Sequence, residues 1–529
     1  MATMERQAWR VAALATLLAF ILYLITLAPG ITWCNDGADG GDLITATVTG
    51  GVPHPSGYPT YLLIGRLFAR LPIGDIAWRF NLMSAVGAAC AAGFTVMATL
   101  ASLRKMPQGE ARIHLMVAGV VGMSFAFSSL LWSQAVVAEV YSWNACFAAL
   151  VWYLMLRAHV SHKLWLWPLT AYVFGLGLGN HLSLAALAPA ALVLFFASFG
   201  AEQDDSILPR SVPRYAILLF FTLIAFAAGL AVYGVLPLRA AQKAPVNWGG
   251  ADTWEGFVWL VTGQAYAPLV AALPAAHLPG RMLAALALLV RQAAWWGVPA
   301  AYLGVQVLWR YDRPAVLATS LSSLVLLAYA VGYNTSDSYV YLIPVGMMLM
   351  LWMAWGLADG LHKITLWAGA RFGSDRPIVT AVTRWGALVL ILVPLVANYS
   401  MVDASGDRRA HDFGIQALES VEEGALIITE TAMDTFPLWY FHYAEARRPD
   451  VVLINGNLLA YAWYRDSVRH RYPSIELPDT DDHPFQMVQK LVQAEIARRA
   501  VYLTTPHWSL PDDLRLVPAG VLYRVERTP

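Results

Sequence analysis

The chain alternates long apolar segments with short polar loops from its start to about residue 400. A helix that crosses a bilayer needs about 20 mostly apolar residues. On this criterion the pattern predicts about 11 transmembrane helices, at residues 9–28, 79–102, 113–131, 140–158, 164–180, 182–199, 215–237, 283–308, 314–333, 339–358 and 380–398. We therefore predict an α-helical polytopic membrane protein.

The last part of the chain has the pattern of a small soluble α/β domain. Short apolar runs typical of strands occur at residues 424–430, 449–455, 501–505 and 521–525, and a helical stretch at 435–446 lies between the first two. We predict two domains. Residues 1–400 form the transmembrane domain, whose first outer loop is residues 29–78, and residues 401–529 form the α/β domain.

Composition agrees with a membrane protein and excludes several function classes. Of the 529 residues, 58% are hydrophobic and 13% are charged, whereas a soluble chain carries about 25% charged residues. The formal net charge is zero, so no overall basic field favours nucleic acid, and the lipid bilayer is the predicted surrounding. The three cysteines have neither a disulfide-framework nor a metal-site spacing.

Positive charge in the short loops predicts the orientation. Arginine and lysine fall in alternate loops, which by the positive-inside rule face the cytoplasm; examples are Arg6, Arg10, Arg104, Lys105, Arg310 and Arg313. The opposite side then holds the loop at 29–78, the segment at 238–282 and everything after residue 398. Lysine is rare relative to arginine, which indicates a GC-rich bacterial genome. We therefore predict a bacterial inner membrane, with the C-terminal domain in the periplasm.

The first outer loop contains a cluster of carboxylates, Asp36, Asp39 and Asp42. Carboxylates are unfavourable near hydrocarbon and are therefore functional candidates. Asp39 and Asp42 are the predicted catalytic pair, in which one carboxylate accepts a proton from an attacking hydroxyl while the other orients it or binds a cation. Asp36 is expected only to cap or solvate the loop. Gly40 and Gly41 are expected to adopt positive φ and to let a ligand approach the backbone.

Three further residues are candidates for binding a phosphate or a sugar. His54 lies between two prolines, so its backbone is rigid and its ring is expected either to donate to a phosphate or sugar oxygen or to bond within a tight turn. Arg239 at a membrane boundary suits a phosphate, or simply extends to the interface. Trp248, beside glycines, is suited either to stacking on a sugar or to anchoring at the membrane surface.

Other polar residues of the predicted outer side complete the candidate site. Asn180 and His181 join His54 as candidate binding residues, and Glu139, Tyr141 and Asp337 are additional site candidates. Each alone is compatible with a local cap. Together, on one face, they predict a concave polar site.

These motifs resemble the signature of a known family. The first stretch, Asp39-Gly-Gly-Asp42, and the second, His54-Pro-Ser-Gly-Tyr-Pro59, are similar to the D-x-G-E and H-P-P-G-Y/A-P signature of a GT-C type membrane glycosyltransferase family. That family includes the protein O-mannosyltransferase that acts on IPT domains and its bacterial relatives. Asp42 takes the place of the signature's Glu. Further matches are Trp132-Ser-Gln134, Glu139-Val-Tyr141, Gly177-Leu-Gly-Asn180-His181 and Asn247-Trp248-Gly249.

The resemblance implies a GT-C fold and a function. The donor would be a polyprenyl-phosphate-linked sugar, either mannose or another hexose or pentose, and the acceptor a hydroxyl of a protein, glycan or lipid. Asp39 or Asp42 would act as general base in an inverting transfer, with Arg239 and His54 stabilising the leaving phosphate. No cofactor is predicted, since a divalent ion between Asp39 and Asp42 would rest on two carboxylates alone.

Two other functions are compatible with the pattern. A transporter or flippase of lipid-linked saccharides would carry ionisable residues near mid-bilayer and an inverted repeat. Alternatively, the bundle would anchor the C-terminal domain as a binding module, which leaves the outer polar residues unexplained. The clustering of these residues at one side of the membrane favours the glycosyltransferase.

Overall fold

A computed structural model describes residues 2–106, 111–199, 212–293, 295, 297–372, 377–477 and 483–528. Up to Val402 the described residues form seventeen α-helices. They are α1 (Ala2–Ile25), α2 (Gly40–Thr49), α3 (Pro59–Ala69), α4 (Ile76–Leu103), α5 (Ala111–Ala126), α6 (Ser129–Ala135), α7 (Tyr141–Ser161), α8 (Leu166–Leu178), α9 (Ala188–Ala197), α10 (Val212–Leu230), α11 (Val235–Ala240), α12 (Trp254–Val261), α13 (Leu278–Gln292), α14 (Gly297–Tyr311), α15 (Arg313–Gly332), α16 (Ile343–Phe372) and α17 (Pro377–Val402).

The structure supports a multi-pass helical bundle but does not confirm eleven spans. By length and composition, five described helices can cross a membrane, or up to seven if two bent pairs each count as one span. The apolar run at 283–308 is two helices, α13 and α14, in a pair bent by 90°. Helix α8 has 13 residues, about 20 Å, which is shorter than the hydrocarbon layer of about 30 Å. Hydropathy counts apolar residues and is insensitive to such bends and short helices.

Helix α4 is the central element of the bundle. Its 28 residues extend about 42 Å, and it packs against α1, α5 and α7. Small residues allow these close contacts: a Cβ on Gly93 would overlap Thr16 of α1, and one on Gly122 would overlap Val96. At the end of α4 nearest the first loop, the Asn81 amide donates to the carbonyls of Ala28 and Gly30 at 2.9 Å each. Helix α4 therefore fixes the start of that loop.

The C-terminal part contains a five-stranded sheet with helices around it. The strands are β1 (Leu426–Thr429), β2 (Val452–Asn455), β3 (Val501–Leu503), β4 (Leu514–Ala519) and β5 (Leu522–Arg527), in the order β2-β1-β3-β5-β4, and the helices are α18 (Arg409–Glu419), α19 (Ala432–Trp439), α20 (Ala462–Arg471) and α21 (Pro484–Glu495). β1, β2 and β3 are parallel, and β5 pairs antiparallel with β3 and β4. The four predicted strands are present. The sequence analysis missed β4, an edge strand that contains a proline and is mostly half-exposed.

Helix α19 docks directly on α2 of the first loop. A Cβ on Gly41 would overlap the backbone carbonyl of Phe436, and one on Gly40 would lie 3.1 Å from the carbonyl oxygen of Ala138. Gly40 has φ −53°, and Gly41 lies within α2 without a positive φ, so the prediction of positive φ is wrong for both glycines. Glycine is needed at both positions because the backbone carbonyls of Ala138 and Phe436 approach them closely. The Trp33 indole adds a hydrogen bond to the Met433 carbonyl at 3.0 Å.

A buried ionic cluster holds the opposite end of the bundle. The Asp312 side chain, 1% exposed, lies 3.0 Å from Lys105 Nζ and 3.0 Å from His159 Nε2. It also accepts a hydrogen bond from the Ala315 amide and so caps α15. One carboxylate thereby joins the ends of α4, α7 and α15.

Replacing Asp312 with alanine should lower the free energy of unfolding by about 3 kcal/mol, because Lys105 would be left without its buried counter-ion. The matched control is Asp359→Ala. Asp359 pairs with Lys363, whose side chain is 67% exposed, and exposed pairs contribute less than about 1 kcal/mol. Thermal unfolding of the purified protein in detergent measures both variants. Equal shifts of the midpoint would contradict a stabilising role for the cluster.

Gly41→Ala should loosen the docking of α19, since the added methyl group meets a backbone carbonyl that cannot rotate away. We expect a loss of about 1–3 kcal/mol and faster proteolysis of the C-terminal domain. Gly360→Ala, within α16, is the control because an added Cβ there has open space. Limited proteolysis of intact protein compares the two variants, and wild-type resistance in Gly41→Ala would rule out the tight contact.

Candidate functional site

The buried carboxylate of Asp42 organises the loop at 29–78. Asp42 is 0% exposed and lies in the first turn of α2. Its Oδ2 accepts hydrogen bonds from the His54 amide at 2.9 Å and the His54 ring Nδ1 at 2.6 Å, and its Oδ1 accepts one from the Trp248 indole at 3.0 Å. Asp42 therefore orients His54 and has no exposed surface for a substrate.

His54 lies between the two carboxylates, and their charges favour its cationic form. Burial alone would lower the pKa of His54, but the charges of Asp39 and then Asp42 outweigh it and raise the pKa above its ordinary value. The hydrogen bonds of the His54 ring are consistent with this cationic form. The Tyr58 hydroxyl donates to the Pro55 carbonyl at 2.9 Å, so its oxygen is left to accept from His54 Nε2 at 3.0 Å. Both ring nitrogens then act as donors, as in imidazolium.

Asp39 is the member of the predicted pair that reaches open space. Its side chain is 37% exposed, and its Oδ2 lies 3.6 Å from His54 Nε2. The recessed position raises the pKa of Asp39 above its ordinary value of 3.8, with Asp42 and Asp337 adding to the rise and His54 opposing it. Asp39 is thus a stronger base than a carboxylate in water, and it faces the cavity.

That cavity has a volume of about 570 Å³ and a largely aromatic wall. Seven aromatic side chains line it: Trp33, Tyr58, Tyr141, Tyr266, Tyr329, Tyr333 and Tyr341. Within the described residues, no lysine or arginine lines the cavity, and no group of three or more His, Cys, Asp or Glu side chains is arranged to hold a metal ion. The cavity therefore offers hydroxyl groups and ring faces around the carboxylates of Asp36, Asp39 and Asp337 and the imidazoles of His54 and His181.

In the structure, Arg239 and Trp248 form hydrogen bonds that support helix α2. Arg239 is 4% exposed, and its guanidinium donates to the carbonyls of Thr47 and Gly51 at 3.0 Å each. It thus caps the C-terminal end of α2, where a cation is favourable. Neither residue lines the cavity, so the predicted contacts of Arg239 with a phosphate and of Trp248 with a sugar have no support in these positions. Both residues instead hold α2.

The other predicted site residues divide into two groups. Glu139 and Asn180, 2% and 0% exposed, lie behind the cavity wall, where burial raises the pKa of Glu139 well above its ordinary value and Asp39 adds to the rise. Tyr141, His181 and Asp337 line the cavity. The Tyr141 hydroxyl donates to Asp337 Oδ2 at 3.3 Å. Burial, and next His54, lower the pKa of His181 to about 4, so this ring is neutral.

The sequence analysis missed the contribution of the C-terminal domain to the cavity. Met433 at the start of α19 lines it, and the ring of Phe436 lies parallel to His54 with centroids 6.4 Å apart. No pattern in the sequence links this helix to the first loop. The sequence did contain a signal for two other residues of the cavity wall. Tyr329 and Tyr333 are four residues apart on α15 and so share a helix face.

Two family models match the chain. "Protein O-mannosyl-transferase TMEM260 N-terminal domain" matches residues 39–204, which begin at the cavity carboxylate. "TMEM260-associated domain 2" matches residues 410–498, which include α19. The two matches thus cover both parts of the chain that meet at the cavity.

Curated relatives extend the similarity over most of the chain. It is 25% identical to protein O-mannosyl-transferase TMEM260 of Mus musculus over 468 residues, 85% of this chain and 64% of that protein. It is 22% identical to protein O-mannosyl-transferase tmem260 of Dictyostelium discoideum, over 91% of this chain and 62% of that protein. The chain therefore spans somewhat less than two thirds of the length of these relatives.

Solved structures identify the fold. The structure of ArnT from Cupriavidus metallidurans bound to undecaprenyl phosphate superposes with a TM-score of 0.58 at 11% identity and covers 97% of both chains. Its apo form gives a TM-score of 0.53 at 12% identity, again over 97% of both chains. This confirms the GT-C fold predicted from the sequence. The two family models match other parts of the same chain, residues 39–204 and 410–498, so a chain with this fold is similar to the TMEM260 proteins in both its helical and its C-terminal part.

Proposed function

We propose that the chain is a glycosyltransferase that moves mannose from a polyprenyl-phosphate-linked donor to a serine or threonine hydroxyl of a protein, with Asp39 as the general base. The main support is geometric: Asp39 faces the cavity, whereas all the hydrogen bonds of Asp42 are made inside the protein. The relatives' name, protein O-mannosyl-transferase, supports the sugar and acceptor. The lipid phosphate bound to ArnT supports the donor class.

In the proposed reaction Asp39 accepts the proton of the acceptor hydroxyl. The hydroxyl oxygen attacks the anomeric carbon, a new C–O bond forms there, and the bond between that carbon and the phosphate oxygen breaks with inversion. The electron pair of the broken bond leaves with the polyprenyl phosphate. The raised pKa of Asp39 suits this role, because general bases act best when their pKa approaches the working pH.

His54 is the proposed partner of the departing phosphate. His54 lines the cavity and its cationic form is favoured by the two carboxylates beside it. The tyrosine hydroxyls around it are further donors. Arg281 lies behind the wall, where its guanidinium donates to the carbonyls of Tyr333 and Thr335 at 2.7–3.2 Å. The positive charge of Arg281 would act on the departing phosphate from behind the cavity wall.

Charge placement along the bundle favours an enzyme over a flippase. Helix α4 carries no Asp, Glu, Lys or Arg between Arg79, near the first loop, and Arg104 at its other end. A flippase of lipid-linked saccharides needs polar or ionisable groups near the middle of the bilayer. In this chain the ionisable clusters lie at the two ends of α4.

We also propose that the site faces the non-cytoplasmic side. Asn81 of α4 holds the loop of the site, while Lys105 at the other end joins the ionic cluster. The positively charged loops at the Lys105 end would be cytoplasmic by the positive-inside rule. The scarcity of lysine supports a bacterial inner membrane with a periplasmic site, although the two named relatives come from a mouse and Dictyostelium.

Asp39→Asn should lower kcat for sugar transfer by about a hundred- to ten-thousand-fold, because the amide cannot accept the proton. Donor binding should be nearly unchanged. Asp36→Asn is the matched control, since Asp36 lines the same cavity but accepts a hydrogen bond from Tyr339 at 2.6 Å. Radiolabelled transfer from polyprenyl-phosphate mannose to a threonine peptide measures the rates. Undiminished transfer by Asp39→Asn would exclude Asp39 as the base.

The pH dependence of kcat/KM should have an acid limb above 3.8, the ordinary pKa of an Asp carboxyl, because Asp39 must be ionised and its pKa is raised. His54→Gln should shift this limb to still higher pH, since the imidazolium holds down the pKa of Asp39. The neutral ring of His181 provides the control, and His181→Gln should leave the limb in place. A shift to lower pH in His54→Gln would contradict the assigned charges.

A further inference from the structure

Helix α3 carries an exposed face of leucine and arginine for which the proposed reaction has no role. Four exposed side chains share this face at the spacing i, i+3, i+4, i+7: Leu63, Arg66, Leu67 and Arg70. The opposite side is buried, and a Cβ on Gly65 would overlap the ring of Phe80 in α4. The packing of α3 on α4 therefore sets which side of the helix is exposed.

The two arginines of this face have no protein partner in the described part of the chain. Neither the Arg66 nor the Arg70 guanidinium forms a hydrogen bond or an ion pair with a described residue. The next acid along the chain, Asp75, instead accepts a hydrogen bond from the Trp78 amide at 2.6 Å and caps α4. Arg79, by contrast, donates to three nearby backbone carbonyls at 2.7–2.9 Å. Both arginines of α3 are therefore available to an anion from outside the protein.

Helix α3 lies where the ends of membrane helices meet the bilayer surface. Its first turn is tied to the end of α8, because the Thr60 hydroxyl donates to the Leu176 carbonyl at 2.6 Å. The candidate span Tyr215–Ala240, which packs on α8, reaches the same level, since the Tyr233 hydroxyl donates to the Leu178 carbonyl at 2.8 Å. A helix at this level that exposes both leucine and arginine suits the membrane interface.

An anionic phospholipid is complementary to both kinds of side chain on this face. Its phosphate accepts hydrogen bonds from guanidinium groups, which bind phosphate in a bidentate manner, and its acyl chains pack on the leucines. Arg66 also lies near enough to the buried Arg239 for the two positive charges to repel each other. An anion beside Arg66 relieves this repulsion. A zwitterionic phospholipid carries a cation as well as its phosphate and is attracted less strongly.

We propose that α3 binds anionic phospholipids of the surrounding bilayer, with Arg66 and Arg70 bonded to lipid phosphates and the two leucines among the acyl chains. This lipid site is outside the cavity, and it does not depend on the proposed reaction. It bears on the catalytic loop because α3 begins directly after Tyr58, whose hydroxyl is hydrogen-bonded to the His54 ring at 3.0 Å. Lipid bound to α3 therefore restrains the segment that presents His54.

Photolabelling tests this lipid site in the purified full-length protein in a neutral detergent. The probe is a phosphatidylglycerol with a photoreactive acyl chain, and mass spectrometry measures the labelled fraction of α3 as the probe is titrated. Arg66→Gln/Arg70→Gln should raise the probe concentration at half-maximal labelling about ten- to thirtyfold, since each arginine near a membrane surface contributes about fivefold in affinity. Unlabelled phosphatidylglycerol should compete with the probe more strongly than phosphatidylcholine does.

Arg515→Gln/Arg527→Gln is the charge-matched control. Both arginines are exposed on the strands β4 and β5 of the C-terminal domain, so their loss changes the net charge equally and should leave the labelling of α3 unchanged. Arg66→Lys/Arg70→Lys keeps both charges and should retain most of the affinity. Without phosphatidylglycerol, the thermal unfolding midpoint of Arg66→Gln/Arg70→Gln should equal that of the wild type, because neither guanidinium bonds to a described part of the protein.

Polyprenyl phosphate distinguishes the lipid of the bilayer from the lipid of the proposed reaction. If it displaces the probe at far lower concentrations than phosphatidylglycerol does, and Arg66→Gln/Arg70→Gln raises KM for the lipid-linked donor, the arginines serve the donor and the proposal is overturned. Equal labelling of the wild type and this variant, or equal competition by phosphatidylcholine and phosphatidylglycerol, overturns it as well. The expected labelling pattern supports the lipid site whether or not the protein transfers a sugar.

Discussion

The buried carboxylate of Asp42 is the constraint on which the candidate site depends. A charge without solvent contact is tolerated only when it is paired and hydrogen-bonded. Asp42 meets this condition through His54 and Trp248, which come from different segments of the chain. Its position in the first turn of α2 adds the favourable end of the helix dipole. Satisfying one carboxylate thus fixes the helix, the imidazole and the outer segment after α11 relative to one another.

The same constraint explains why the C-terminal domain belongs to the site. Once α2 is fixed, its glycine face is available for close packing, and α19 occupies it through the Phe436 backbone. The Phe436 ring then lies parallel to that of His54, with centroids 6.4 Å apart, and Met433 forms part of the cavity wall. Exclusion of water from this side strengthens the interaction between His54 and both carboxylates. A soluble domain that follows the bundle in sequence is therefore one wall of the cavity.

The sequence predicted well which residues come together at the site. It predicted the individual roles of these residues less well. The loop carboxylates, His54 and the GT-C fold were predictable, because ionisable groups are rare near hydrocarbon and the motif spacing is specific. The roles of Arg239 and Trp248 were not, since a sequence does not show whether a side chain at a boundary faces a ligand or a helix end. The predicted number of spans is not confirmed, for a similar reason. A 90° bend between α13 and α14 does not alter the hydropathy of the run that contains both.

The two carboxylates around His54 also give the site a charge balance suited to the proposed transfer. With His54 in the imidazolium form that the two carboxylates favour, His54, Asp39 and Asp42 carry a combined charge of minus one before the reaction. When Asp39 accepts the acceptor's proton, the remaining pair of His54 and Asp42 is neutral, and this happens as negative charge develops on the leaving phosphate. The base thus loses its repulsion toward the phosphate at the moment the phosphate needs stabilisation. Had Asp42 also faced the cavity, one more anion beside Asp36, Asp39 and Asp337 would have opposed that step. The complete burial of Asp42 is therefore as useful to the chemistry as the exposure of Asp39.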